Sequence, residues 1–260
     1  MDLGLSGKSA LVTGASRGIG RSIAESLAAE GCSLHLTART AESLRRAADE
    51  LTQRHHVSVA VHAFDLSQDD SADKLEAACG GVDILVNNAG AIPGGAIDQI
   101  DNAAWKRAWD LKVFGYIGLM RAMLATMRRN KRGVVVNVIG LAGERPDARY
   151  LAGSGANAAL MAMTRALGAA SVDDGVRVIG VNPGLVATGR MVALLRTKAQ
   201  QTLGDAERWQ EFVANYPFGR PATPEEIADV VCFLASERAA YMSGTIVTVD
   251  GGVSGRGGSF

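Results

Sequence analysis

Residues 9–30 read SALVTGASRGIGRSIAESLAAE, and this stretch restricts the fold more than any other in the chain. A short apolar run, Ser9–Thr13, passes through a glycine-rich turn into an amphipathic helical pattern over Ile19–Glu30. The three glycines have separate uses. Gly14 permits a tight turn, Gly18 allows a close backbone approach, and Gly20 lets the helix pack on the strand. A helix that starts in such a turn aims free N–H groups and the positive end of its dipole outward, which suits a phosphate. Glycine triplets also make plain turns. Set between a buried strand and a helix, this one predicts a dinucleotide site that takes in Ser16, Arg17 and Ile19 as well.

The same alternation continues along the chain. Further strand candidates are Ser33–Thr37, Val57–Ala63, Val82–Asn87, Gly133–Val138, Val176–Val181 and Thr245–Val249. Most are continuous apolar runs without polar alternation, as expected of strands buried on both faces. Between them lie helical patterns at about Ala41–Arg54, Ser71–Ala78, Ala103–Arg129, Ser154–Ala170 and Pro224–Ala235. The last has clear start signals: Thr223 as cap, Pro224 in the first turn, then Glu225 and Glu226 at the positive end of the dipole. Repeated strand–helix–strand order predicts an α/β chain with a parallel sheet wrapped by helices on both faces. No linker interrupts it, so 1–260 reads as one domain. Only Thr188–Pro217 breaks the rhythm. It follows a strand end, where loops of such sheets cover the ligand crevice, and it is expected to form a substrate lid.

Lys plus Arg and Asp plus Glu number 27 each, so no global field points to nucleic acid or a membrane surface. No apolar stretch approaches a membrane span, and the start lacks a basic segment followed by an apolar signal core. Cys32, Cys79 and Cys232 are isolated and show no metal or redox spacing; they fit a reduced, cytoplasmic protein. His35, His55, His56 and His62 read as structural or surface residues, and no metal is expected.

Cofactor choice is written at the end of the second strand, LHLTART. An NAD site usually places an acid there for the adenosine 2′-hydroxyl. Here Arg39 stands near that point, and with Arg17 it could clamp a 2′-phosphate, which favours NADP(H) over NAD(H). The plainer reading is two solvated arginines.

TGASRGIG at 13–20, NNAG at 87–90, VNPGLVAT at 181–188 and SGTIVTVDGG at 243–252 together resemble the short-chain dehydrogenase/reductase family over nearly the whole chain. The resemblance implies a single-domain Rossmann-type doubly wound fold with a seven-stranded parallel sheet flanked by helices, assembled as a homodimer or homotetramer. It implies Asp65 and Leu66 beside the adenine, and Asn88, Ala89 and Gly90 along the cofactor, with Asn87 steadying the sheet. It sets Pro183, Gly184, Val186 and Thr188 around the nicotinamide.

The family's proton-transfer machinery uses a serine, a tyrosine thirteen residues later, a lysine four beyond that, and an asparagine in the preceding long helix. Carried over by motif, NVIGLAG puts Gly140 at the serine position, and counting on gives Gly153 for the tyrosine and Asn157 for the lysine. WDLKVFG puts Lys112 at the asparagine position. All four differ. Lysine and asparagine look exchanged, so the expectation is that Lys112 supplies a charge and Asn157 a ribose contact while the usual relay is lost. Lys112 could equally be a buried stem with its head on a carbonyl. Tyr150, one helical turn before Gly153, is the nearest alternative proton donor.

Met191, Leu194, Leu195, Trp209, Phe212 and Tyr216 in the lid could cover a bulky apolar substrate, such as an acyl-CoA or cyclic ketone, or could pack on their own domain. Arg190, Arg196 and Lys198 could meet an acidic tail or form a solvated face. Three readings compete: an oxidoreductase acting on a bulky carbonyl or alcohol with a non-standard relay; a silent nucleotide-binding regulator or partner subunit; and non-redox carbonyl chemistry at Lys112 with the nucleotide as a fixture.

Overall fold

The strands are β1 (Ser9–Thr13), β2 (Ser33–Ala38), β3 (Val59–Ala63), β4 (Ile84–Asn87), β5 (Gly133–Val138), β6 (Val176–Pro183) and β7 (Ile246–Val249). In the computed structural model, which describes residues 1–256, they form one all-parallel sheet in the order β3-β2-β1-β4-β5-β6-β7. The order reverses direction beside β1, so a crevice opens between the carboxyl ends of β1 and β4. The central strands owe their place to their side chains. Val12, Val86 and Val136 are fully buried on one face of the sheet, and Leu11, Leu85 and Val135 on the other.

The helices are α1 (Gly18–Ala29), α2 (Ala41–His55), α3 (Ser71–Cys79), α4 (Asn102–Trp109), α5 (Gly115–Arg129), α6 (Leu151–Ala170), α7 (Gly189–Leu203) and α8 (Pro224–Ala235). Helices α1, α2 and α8 share one apolar layer, and α3, α5 and α6 contribute to the other. The fold is thus the α/β doubly wound arrangement expected. The Thr223 hydroxyl accepts from Glu226 N and the Glu226 carboxylate accepts from Thr223 N, a complete capping box.

Three segments differ from expectation. The long helix over Ala103–Arg129 is not uniform: Asp110–Phe114 forms a π-helical turn between α4 and α5. Trp109, just before it, donates its indole N–H to Ala152 O at 3.0 Å and so ties α4 to α6. Helix α6 begins at Leu151 rather than Ser154, because Gly153 N and Ser154 N already donate to Tyr150 O. The segment after β6 holds a regular helix, α7, capped by the Thr188 hydroxyl and closed by Gly204 at φ +75°, then a 3₁₀ segment over Ala206–Val213. No helix among the described residues is long and apolar enough to cross a membrane.

Candidate active site

The glycine-rich turn is fastened before the helix begins. Gly14 N and Ala15 N donate to Thr37 O at the end of β2, at 2.8 and 3.3 Å. Asn88 donates its side-chain amide to Thr13 O at 2.9 Å, while Asn88 N and Ala89 N donate to the Thr13 hydroxyl. A β-carbon at Gly20 would strike that Asn88 amide and the Gly14 carbonyl, so only glycine permits the contact. Gly14 (φ +66°) and Gly18 (φ +57°) both need left-handed backbone. The first amides of α1 then face a crevice with no backbone acceptor of their own.

That crevice is a cavity of about 1080 Å³. Its wall includes Gly14, Ser16, Arg17, Gly18 and Ile19 from the turn, Arg39 after β2, and Leu66 after β3. Asn88, Ala89 and Gly90 follow β4, and Pro183, Gly184, Val186 and Thr188 follow β6. Among the described residues five cations line it, namely Arg17, Arg39, Arg46, Lys112 and Arg190, and no carboxylate does. Arg46, on α2, was missed by sequence reasoning; its place seven residues after Arg39 on the following helix was the available signal. Gly20 and Asp65 stand apart from the wall. Gly20 is buried against Gly14, and the Asp65 carboxylate accepts from Ser67 N and the Ser67 hydroxyl at 3.1 and 2.8 Å, holding the turn after β3. A multiply phosphorylated dinucleotide fits this donor set in charge, and the glycine floor leaves room for its backbone contacts.

Lys112 enters from the π-helical turn, a geometry that recurs at functional sites. Its stem crosses Gly90, where a β-carbon would come within 2.8 Å of Lys112 Cδ. Its ammonium donates to Ile139 O at 2.7 Å and reaches Val138 O at 3.5 Å. Burial lowers its pKa from 10.5 to about 8. The Tyr116 hydroxyl shares Val138 O at 2.9 Å, and burial raises that phenol's pKa.

From the other side Asn157, 4% exposed, donates Nδ2 to Gly140 O at 3.3 Å. Its Oδ1 is buried without a hydrogen-bond partner among the described residues. Lys112 and Asn157 therefore hold the successive carbonyls 139 and 140 at the end of β5. Gly140 itself sits at φ +131°, where a side chain would be strained and its β-carbon would lie 2.9 Å from Asn157 Nδ2.

A second cavity, of about 750 Å³, opens beside the first and shares Ile139, Gly140, Pro183 and Gly184 with it. Tyr150, Asn157, Leu141 and Tyr216 line it. The Tyr150 ring lies over Gly153: a β-carbon there would overlap ring atoms Cε1 and Cζ. Burial raises the Tyr150 pKa, and the Arg190 charge offsets part of that rise. Of the side chains expected on a lid, Tyr216 lines this cavity, whereas Met191, Leu194, Leu195, Trp209 and Phe212 line neither. Leu194 is largely exposed, and Phe212 lies under the Lys198 ammonium at 4.6 Å. Arg196 pairs with Glu207 on the surface.

A protein-family profile described as enoyl-(acyl carrier protein) reductase matches residues 14–254. An uncharacterised oxidoreductase, YmfI of Bacillus subtilis, is 37% identical over 94% of this chain and 98% of its own length. The NADPH-dependent reductase BacG of the same organism is 31% identical over 95% of this chain and 98% of its own. Among solved structures, L-sorbose reductase from Gluconobacter frateurii complexed with NADPH and L-sorbose superposes with a TM-score of 0.94 at 33% identity, covering 98% of this chain and all of that one.

Proposed function

The chain belongs to the short-chain dehydrogenase/reductase family, and on that premise we propose that it is an NADP(H)-dependent oxidoreductase that reduces a bulky carbonyl compound to its alcohol. The NADPH dependence of the relative BacG and the NADPH bound in the L-sorbose reductase structure support the cofactor. So does the wall of five cations without a carboxylate. The α1 amides and the glycine turn hold the pyrophosphate, and Arg17, Arg39 and Arg46 hold the 2′-phosphate. Leu66 packs on the adenine with Asp65 behind it, Asn88 to Gly90 follow the ribose, and Pro183, Gly184, Val186 and Thr188 flank the nicotinamide. When bound, the reduced nicotinamide supplies a hydride.

One observation carries the reaction: the Tyr150 ring fills the space beside Gly153, so a phenol reaches the substrate cavity from three residues upstream of the family's tyrosine position. Tyr150 donates its hydroxyl proton to the carbonyl oxygen as that oxygen becomes an alkoxide. Burial favours the proton-bearing form of the phenol, the form this step consumes. Gly140 leaves no hydroxyl in the serine position, so Tyr150 alone polarises the carbonyl. Lys112 keeps a positive charge at the end of β5, and the unpartnered Asn157 Oδ1 accepts a ribose hydroxyl. The 750 Å³ cavity, walled by Leu141 and Tyr216, admits a bulky substrate of the cyclic-ketone or acyl-CoA class.

A second reading has its own support. Lys112 and Asn157 are both engaged with backbone carbonyls, so no ammonium is free to lower the Tyr150 pKa, which suits a nucleotide-binding regulator or partner subunit. The test is NADPH fluorescence with purified protein, first for binding and then for oxidation across ketones and coenzyme A esters. Oxidation that Tyr150→Phe abolishes supports the reductase. Tight binding without oxidation of any compound transfers the assignment to the silent role. Carbonyl consumed without NADPH oxidation transfers it to non-redox chemistry at Lys112.

A further inference from the structure

Within the α3 layer, outside the walls of both cavities, β2, β3 and α3 bring together three residues from separate elements. His35 Nδ1 and His62 Nε2 are 2.9 Å apart, and Cys79 Sγ lies 4.0 Å from His62 Nε2. One ligand atom from each of the three falls within 4.8 Å of the others. The imidazoles are nearly parallel, 12° between planes, and half-buried, while Cys79 is buried. We propose that His35, His62 and Cys79 bind one divalent transition-metal ion of the zinc class, with water as the fourth ligand.

The donor chemistry selects the ion. Two imidazoles and one thiolate form a borderline-soft set that suits zinc and excludes magnesium and calcium, which take oxygen ligands. The spacing is close to what the ion needs. Zn–N bonds near 2.05 Å and a Zn–S bond near 2.3 Å in a tetrahedron set N···N at about 3.4 Å and N···S at about 3.6 Å. The pair at 2.9 Å must open and the pair at 4.0 Å must close, each by about half an ångström by that geometry. Partial exposure of both rings leaves solvent a path to the fourth position. Binding displaces the Cys79 thiol proton to solvent, and the charge of the ion stabilises the thiolate. The His35–His62 hydrogen bond gives way to two metal–nitrogen bonds.

The consequence is local. Strand β3 is the edge of the sheet, and the ion would tie it to β2 and to the end of α3. The site is independent of the reductase assignment.

The test uses the full chain, stripped with a chelator, given a small excess of Zn²⁺ and dialysed against metal-free buffer, with Co²⁺ as a spectroscopic probe. The expected result is one zinc per chain after gel filtration and a thiolate-to-cobalt charge-transfer band in the near ultraviolet. Cys79→Ala should abolish the band, and His62→Gln, at a half-exposed position, should weaken zinc retention by roughly tenfold or more. His56→Gln, on the surface, should change neither. The melting temperature should rise with added zinc in the wild type and stay fixed in Cys79→Ala. Zinc well below one equivalent in the wild type, or a cobalt spectrum indifferent to Cys79→Ala, overturns the site.

Discussion

The Tyr150 ring occupies the volume into which a side chain on Gly153 would project. The two residues are complementary: one aromatic ring has room because the other position has no β-carbon. Their exchange of space sets the first expectation. Tyr150→Phe should lower kcat by roughly 10²–10⁴-fold, the usual worth of a general acid, and leave NADPH affinity unchanged. Gly153→Ala should reproduce much of that loss by displacing the ring. Steady-state kinetics paired with nucleotide fluorescence titration separates the effects; equal kcat in wild type and Tyr150→Phe would remove Tyr150 from the reaction.

Arg39 bears on cofactor choice. Arg39→Ala should weaken NADPH binding by roughly 10–100-fold and leave NADH binding nearly unchanged, since only the former carries the 2′-phosphate. Fluorescence titration with both nucleotides reads the ratio. Equal losses for the two would place Arg39 on the shared part of the molecule instead.

Lys112 predicts an unusual pH dependence. Its pKa falls from 10.5 to about 8 through burial. Below pH 8 the ammonium is charged in both folded and unfolded chains, and its desolvation cost is fully present. Between pH 8 and 10.5 the folded protein releases the proton first, so the unfolded chain binds more protons and stability rises with pH. Relative to Lys112→Met, the wild type should therefore gain up to ~3 kcal/mol across that window. Urea denaturation of both proteins at pH 7.5 and 10 gives the difference. Wild-type stability that falls or stays constant relative to Lys112→Met between the two pH values would show that the ammonium is better solvated than its contacts indicate.

A serine at position 140 should not raise activity. Gly140→Ser must adopt φ near +131° with its β-carbon against Asn157 Nδ2, a strain of about 1–3 kcal/mol. The expected outcome is a lower melting temperature and no gain in kcat. A stable, faster enzyme would mean that the end of β5 relaxes freely.

Strands such as Ser9–Thr13 and Gly133–Val138 were legible because burial on both faces writes an uninterrupted apolar run. Thr223 to Glu226 announced a helix start through side chains that bond the local backbone. The crevice was legible for the same local reason, since glycine is demanded wherever backbone is left-handed or crowded. Other features depend on distant partners and leave no local pattern. The π-helical turn at Asp110–Phe114 differs from its flanks only in which carbonyl each amide meets. Tyr150 is turned over Gly153 by backbone angles of −138° and 40° that no motif specifies. His35, His62 and Cys79 come from three elements, so their spacing along the chain carries no ligand signature. Helix α7 was hidden because its mixed apolar and basic residues pack on a neighbouring 3₁₀ segment rather than on the sheet.

The π-helical turn also has a consequence for how this chain tolerates change in length. Where each amide reaches one residue further than in an α-helix, everything upstream is out of phase with everything downstream by about 100°. Excising one residue between Asp110 and Phe114 would restore an unbroken ladder, yet swing the Trp109 indole off its Ala152 acceptor or the Lys112 stem off Gly90. Exchanges of side chain at these positions leave that phase intact, whereas a single-codon deletion cannot.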